Sequence, residues 1–93
     1  MIEIEQFADG TKGRFSALDG DKTAGSIYYT FAGSSIMILD HTEVDDAYRG
    51  KSIGKKILLF IVGFARENNI KIIPLCPFSK SVFDKVEEIR DVL

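Results

Sequence analysis

The chain has 93 residues, of which 45% are hydrophobic and 28% charged, and it carries a formal net charge of −2. That length supports one modest core, and the balance is that of a globular chain rather than a disordered one. A negative net charge excludes a general attraction to nucleic acid; no apolar run approaches the roughly 20 residues that cross a bilayer; and one cysteine, Cys76, cannot close an internal disulfide, which fits a reducing compartment.

The first residues, Met1 to Glu5, alternate apolar and acidic side chains without the basic and apolar regions of a signal peptide. Ile2, Ile4 and Phe7 open a period-two pattern that predicts a first strand. Arg14 to Leu18, Lys22 to Phe31 and Ser35 to Val44 predict three more, separated by short turns at Asp19-Gly20-Asp21 and Ala32-Gly33-Ser34, which implies an antiparallel meander. Of the adjacent Tyr28 and Tyr29, one is expected to face the core and the other solvent.

A helix is expected from Ile53 to Asn68, with Ile53, Ile57, Phe60, Ile61 and Phe64 as one apolar stripe. Ile70 to Cys76 reads as a fifth strand, so strand, helix and strand form a right-handed crossover with the two strands parallel. Pro74 marks an edge or a place where strands part. A second helix is expected near Ser79 as N-cap, presenting Val82, Phe83, Val86 and Ile89 inward, with Val86 to Val92 as an amphipathic helical tail. The fold class is therefore α/β (α+β), a mixed sheet in a single domain spanning residues 1–93.

Between the fourth strand and the first helix lies Asp45-Asp46-Ala47-Tyr48-Arg49-Gly50-Lys51-Ser52-Ile53-Gly54-Lys55-Lys56. A helix start offers unpaired N–H groups and the positive end of the dipole, a natural seat for phosphate. Arg49, Lys51, Lys55 and Lys56 add charge of the right sign, and Gly50 and Gly54 allow close backbone approach. The plain alternative is a solvated basic helix start. The P-loop pattern fails, because its first glycine would fall at Asp45, whose carboxylate repels phosphate; the dinucleotide G-x-G-x-x-G is absent. One histidine and one cysteine far apart do not make a zinc signature, so no metal is expected.

Arg49-Gly50-Lys51-Ser52-Ile53-Gly54 resembles the [Q/R]-x-x-G-x-[G/A] coenzyme loop of the GCN5-related N-acetyltransferases, with Ser52 standing where that family usually has glycine. Leu39 to Val44 before the loop and Ile73 to Phe78 after the helix resemble the very short subfamily that is little more than the coenzyme-binding core. The resemblance implies acetyl-coenzyme A as co-substrate. Arg49, Gly50, Lys51, Ser52, Ile53, Gly54 and Lys55 would cradle its pyrophosphate, and the Val44 backbone would bond its pantetheine arm. It also implies that the fourth and fifth strands splay around that arm. The C-terminal stretch departs from the subfamily, and no tyrosine follows the fifth strand to protonate a departing thiolate.

Strand alternation places His41 and Glu43 on one face together with Met37 and Leu39, and Asp40 and Thr42 on the other. Either His41 or Glu43 is a candidate proton acceptor for an incoming amine, since histidine as a residue type titrates near neutrality; a structural histidine is the ordinary alternative. Cys76, at the end of the fifth strand and beside a helix start that favours thiolate, is a candidate nucleophile and could pair with His41; a small buried apolar residue is the ordinary alternative.

The expected function is acetyl transfer from acetyl-coenzyme A to an amine, small or protein-borne, by a cytoplasmic monomer or homodimer. The alternative is a coenzyme-sensing module with weak, Cys76-mediated thioester hydrolysis. Nucleic acid and membrane are not expected partners.

Overall fold

The computed structural model describes residues 1–93. Strands β1 (Ile2–Asp9), β2 (Lys12–Asp19), β3 (Lys22–Phe31) and β4 (Ile36–Val44) form an antiparallel meander in chain order. Helix α1 (Ile53–Asn68) then crosses back and delivers β5 (Lys71–Pro74) parallel to the first half of β4, with Ile36 to Leu39 opposite Lys71 to Pro74. Helix α2 (Pro77–Lys85) and a 3-10 segment over Glu87–Val92 close the chain, and a 3-10 turn over Asp46–Tyr48 sits between β4 and α1. The α/β fold and its mixed sheet are as the sequence predicts.

The helices lie on one face of the sheet. Phe15, Ala17, Ile27, Tyr29, Met37 and Leu39 project from the strands and pack against Ile53, Ile57 and Ile61 of α1, all buried. The buried stripe of α1 is rotated from the predicted one. Leu58, Val62 and Ala65 are buried instead of Phe60, because α1 is covered on a second side by Val82, Phe83, Ile89 and Val92. Phe60 and Phe64 flank the interface, with ring centroids 5.9 and 5.3 Å from Phe15. Tyr29 is buried and Tyr28 half-buried on the opposite face.

Four details differ from the sequence reading. β5 ends at Pro74, and the N–H of Cys76 returns to bond Leu39 O at 3.0 Å. The N-cap of α2 is Cys76, not Ser79: Pro77 occupies the first turn, where its fixed φ suits a helix start. The tail is 3-10 rather than α, held by Arg66, which bonds both Asp91 carboxylate oxygens and the carbonyl of Glu88.

The fourth difference bears on function. The β3–β4 register pairs Tyr28 with His41 but Tyr29 with Leu39, so Asp40 is an extra, bulged residue. Past a bulge the alternation inverts. His41 and Glu43 therefore do not share a face with Met37 and Leu39; they point to the helix-free side of the sheet, while Thr42 and Val44 turn toward the helices.

Candidate functional site

The chain between β4 and α1 is built as a rigid, cation-bearing turn. Asp45 caps the 3-10 turn by accepting the N–H of Ala47 at 2.9 Å. Gly50 sits at φ +79°, and Ser52, the N-cap of α1, at φ 59°, ψ 33°. The left-handed region suits glycine and costs a side-chain-bearing residue. Ser52 thus adopts the backbone that its resemblance to a glycine position demands. Its side chain makes no capping hydrogen bond. The first helical bond runs from the N–H of Lys56 to Ser52 O, so the N–H groups of Ile53, Gly54 and Lys55 have no partner within the protein. Three unpaired donors at the positive end of a 16-residue helix are the physical makings of an anion seat.

These donors open on a cavity of about 470 Å³. Val44, Arg49, Gly50, Ser52, Ile53, Gly54 and Lys55 line it, which gathers every predicted coenzyme residue except Lys51. Lys51 turns its ammonium over the Tyr48 ring, 5.5 Å from the centroid. Arg49 is exposed, with Nε 2.8 Å from the carboxylate of Asp46. Lys55 makes no ion pair.

The opposite wall was not foreseen. It is one face of α2, with Phe78, Ser81, Val82 and Lys85, continued by Val86. Their spacing of i, i+3, i+4, i+7 and i+8 is that of a single helical face, of which the sequence reading takes only Val82 and Val86, as core residues. Gly54, which lines the cavity, has a packing role as well. A Cβ at Gly54 would lie 2.8 Å from Cζ of Phe78, so the residue lets α2 pack against the start of α1.

Tyr48 lines the cavity and anchors the loop. Its hydroxyl donates to the Asp19 carboxylate at 2.6 Å, across 29 residues. That hydrogen bond holds the Asp19 carboxyl below its usual value and lifts the Tyr48 hydroxyl above its own.

The cavity leads toward a gap in the sheet. β5 leaves β4 after Leu39, yet β4 continues to Val44. The N–H of Asp45 bonds Ala24 O, which makes 24/45, and by alternation 26/43, hydrogen-bonded pairs. The N–H and C=O groups of Thr42 and Val44 consequently point away from β3 and into this gap. At its closed end lies Cys76, only 4% exposed. Its thiol donates to Ser79 Oγ at 2.8 Å, accepts the Ser79 N–H at 3.4 Å and lies 3.2 Å from Thr42 Oγ1.

His41 is not part of that cluster. Its Nε2 lies 3.3 Å from Glu43 Oε1, and its ring stacks on Tyr28, on the far face of the sheet. The expected Cys76–His41 pair is therefore not formed, because the bulge at Asp40 sends the two side chains to opposite faces. On that far face a smaller cavity of about 270 Å³ lies against Ser26, Tyr28, Glu43 and Asp45; Val44 borders both cavities.

The chain is similar to known proteins in sequence and in fold. Mouse Protein NATD1 is 35% identical over 71 residues, covering 75% of this chain and 63% of the relative, so the chain spans under two thirds of that protein's length. Chicken Protein NATD1 is 36% identical over the same extent. The solution structure of a GCN5-like protein from Staphylococcus aureus superposes with a TM-score of 0.72 at 36% identity, covering 95% of this chain and 85% of that one. The ribosomal-protein-alanine N-acetyltransferase of Brucella melitensis shares the fold at 19% identity, with a TM-score of 0.68 over 84% of this chain and 62% of its own. A family model described as GCN5-related N-acetyl-transferase matches residues 14–92, through the loop, the gap and both helices described above, and the chain belongs to that family.

Proposed function

We propose that this protein binds acetyl-coenzyme A and transfers the acetyl group directly to an amine. The observation that carries the reading is the 470 Å³ cavity, whose two ends differ in chemistry. One end offers unpaired amides of α1 with Arg49 and Lys55, suited to a pyrophosphate. The other is apolar at Val44 and borders the β4–β5 gap, where the outward backbone groups of Thr42 and Val44 suit an amide-bearing arm. The thioester then lies in the gap near Cys76.

The acceptor comes from the helix-free face. Its nitrogen forms the new N–C bond, the C–S bond breaks, and the sulfur keeps the electron pair as thiolate. The amine proton passes to the His41–Glu43 pair, which faces that side; no tyrosine follows β5 to protonate the thiolate, and water takes that role. Direct attack is favoured over a Cys76 intermediate because the thiol donates to Ser79 Oγ and has no basic side chain beside it.

The alternative of a coenzyme-sensing module keeps one supporting observation: no helix covers the face that carries His41 and Glu43, which leaves the acceptor side unwalled. Calorimetric titration with acetyl-coenzyme A, with ATP as control, tests the common premise. Micromolar binding with ATP far weaker supports it, and absence of binding removes both readings. Turnover with a panel of amines then separates the two.

A further inference from the structure

The cavity carries a third cation that the pyrophosphate seat does not use. Lys85, the last residue of α2, lines it from the wall opposite the loop. It makes no ion pair, even with its neighbour Asp84. The other nearby cation of this segment is committed: the Arg90 guanidinium donates to the carbonyls of Phe83 and Asp84. Helix α2 begins at the gap, where Cys76 caps it, and ends at Lys85, a span of roughly 13 Å at 1.5 Å per residue. Lys85 therefore stands at the end of the cavity farthest from the thioester. A coenzyme whose arm fills the gap and whose pyrophosphate sits on the α1 amides places its nucleoside beyond them, on that side.

We propose that Lys85 binds the 3′-phosphate of the coenzyme's ribose and makes the site select 3′-phosphorylated coenzyme A over its dephospho form. This rests on the coenzyme reading above. The chemistry is that of an ammonium meeting a phosphate monoester dianion, a charge-assisted contact at a partly open site. A lysine in the last turn of a helix also complements the helix dipole, but that role acts on stability and gives no preference between the two ligands.

The test is calorimetric titration of the intact chain and of Lys85→Ala and Lys85→Arg with coenzyme A and with 3′-dephospho-coenzyme A. The wild-type chain is expected to bind coenzyme A about three- to tenfold more tightly than the dephospho form. Lys85→Ala removes that preference while its affinity for the dephospho form stays unchanged, and Lys85→Arg restores it. Equal weakening of both ligands in Lys85→Ala would place the residue on the pyrophosphate and overturn the proposal. So would a preference that survives the substitution, or a wild-type chain that binds both ligands equally. A wild-type chain that binds neither ligand overturns the coenzyme reading itself.

Discussion

The hydroxyl of Tyr48 and the carboxylate of Asp19 meet at 2.6 Å, and this one hydrogen bond ties the β4–α1 loop to the turn of the β2–β3 hairpin. Two titrations follow from it. The Asp19 carboxyl is lowered from its usual 3.8, chiefly by the Tyr48 hydrogen bond, so its contribution to stability is present above 3.8 and lost as pH falls through the lowered value. The Tyr48 hydroxyl is raised from 10.0, chiefly by the same bond, so its contribution is complete below 10.0 and lost as pH rises through the raised value. Melting temperature against pH should show a plateau that declines at both ends. Tyr48→Phe should lower the plateau and flatten the alkaline decline; an unchanged alkaline limb would mean the bond contributes nothing.

Gly54 and Phe78 define how closely α1 and α2 approach. Gly54→Ala puts a methyl 2.8 Å from the Phe78 ring. Alanine is intrinsically the better helix former by about 1 kcal/mol, but overpacking costs about 1–3 kcal/mol, and the half-buried ring must be pushed off α1 toward the cavity it lines. A net loss of roughly 1 kcal/mol in urea unfolding is expected. Phe78→Leu in the same chain should recover it. A more stable Gly54→Ala variant would show that the ring moves freely.

Most of the fold was legible because it is written in local pattern. Strand alternation from Ile2 to Val44 and the apolar stripe of α1 each report one element's own periodicity, and the turn residues between them are explicit. What was not legible depends on two elements at once. The bulge at Asp40 is a mismatch between β3 and β4, and its one trace in the sequence is the odd spacing of Leu39 and Val44, two apolar residues that face the same side. That single extra residue decides that His41 and Cys76 do not meet. Likewise Gly54 reads alone as a site of ligand approach; only the position of Phe78 shows that α2 also packs there. The α2 wall was visible as a helical face, but a face does not say whether it meets core or cavity, and here it meets both, with Val82 buried and Lys85 exposed.

Ser52 holds φ 59° without the freedom of glycine and without using its hydroxyl as a cap. Relief of left-handed strain is worth roughly 1–2 kcal/mol, offset by about 0.4–1 kcal/mol for the greater entropy of an unfolded glycine. Ser52→Gly should therefore stabilise the chain by about 0.5–1 kcal/mol in denaturant unfolding. Titration of the same variant with acetyl-coenzyme A reads whether the hydroxyl also touches phosphate. We expect unchanged affinity, because the neighbouring amides already supply the donors.

The two faces of β4 make the last prediction separable. Glu43 and His41 look to the acceptor side, and Cys76 and Thr42 look into the gap. If transfer is direct, Glu43→Gln should lower kcat by about a hundredfold, in the range of general base catalysis, while the KM for acetyl-coenzyme A stays constant. Cys76→Ala should keep most of kcat, and mass spectrometry of the wild-type chain under single-turnover conditions should find no acetyl group on Cys76. The opposite pattern, an acetylated Cys76 that forms and decays at the rate of turnover together with an inactive Cys76→Ala, would move the chemistry into the gap. It would also confine the His41–Glu43 pair to the second step, where it takes the proton of the amine that attacks acetyl-Cys76, because the bulge keeps that pair on the opposite face from the thiol itself.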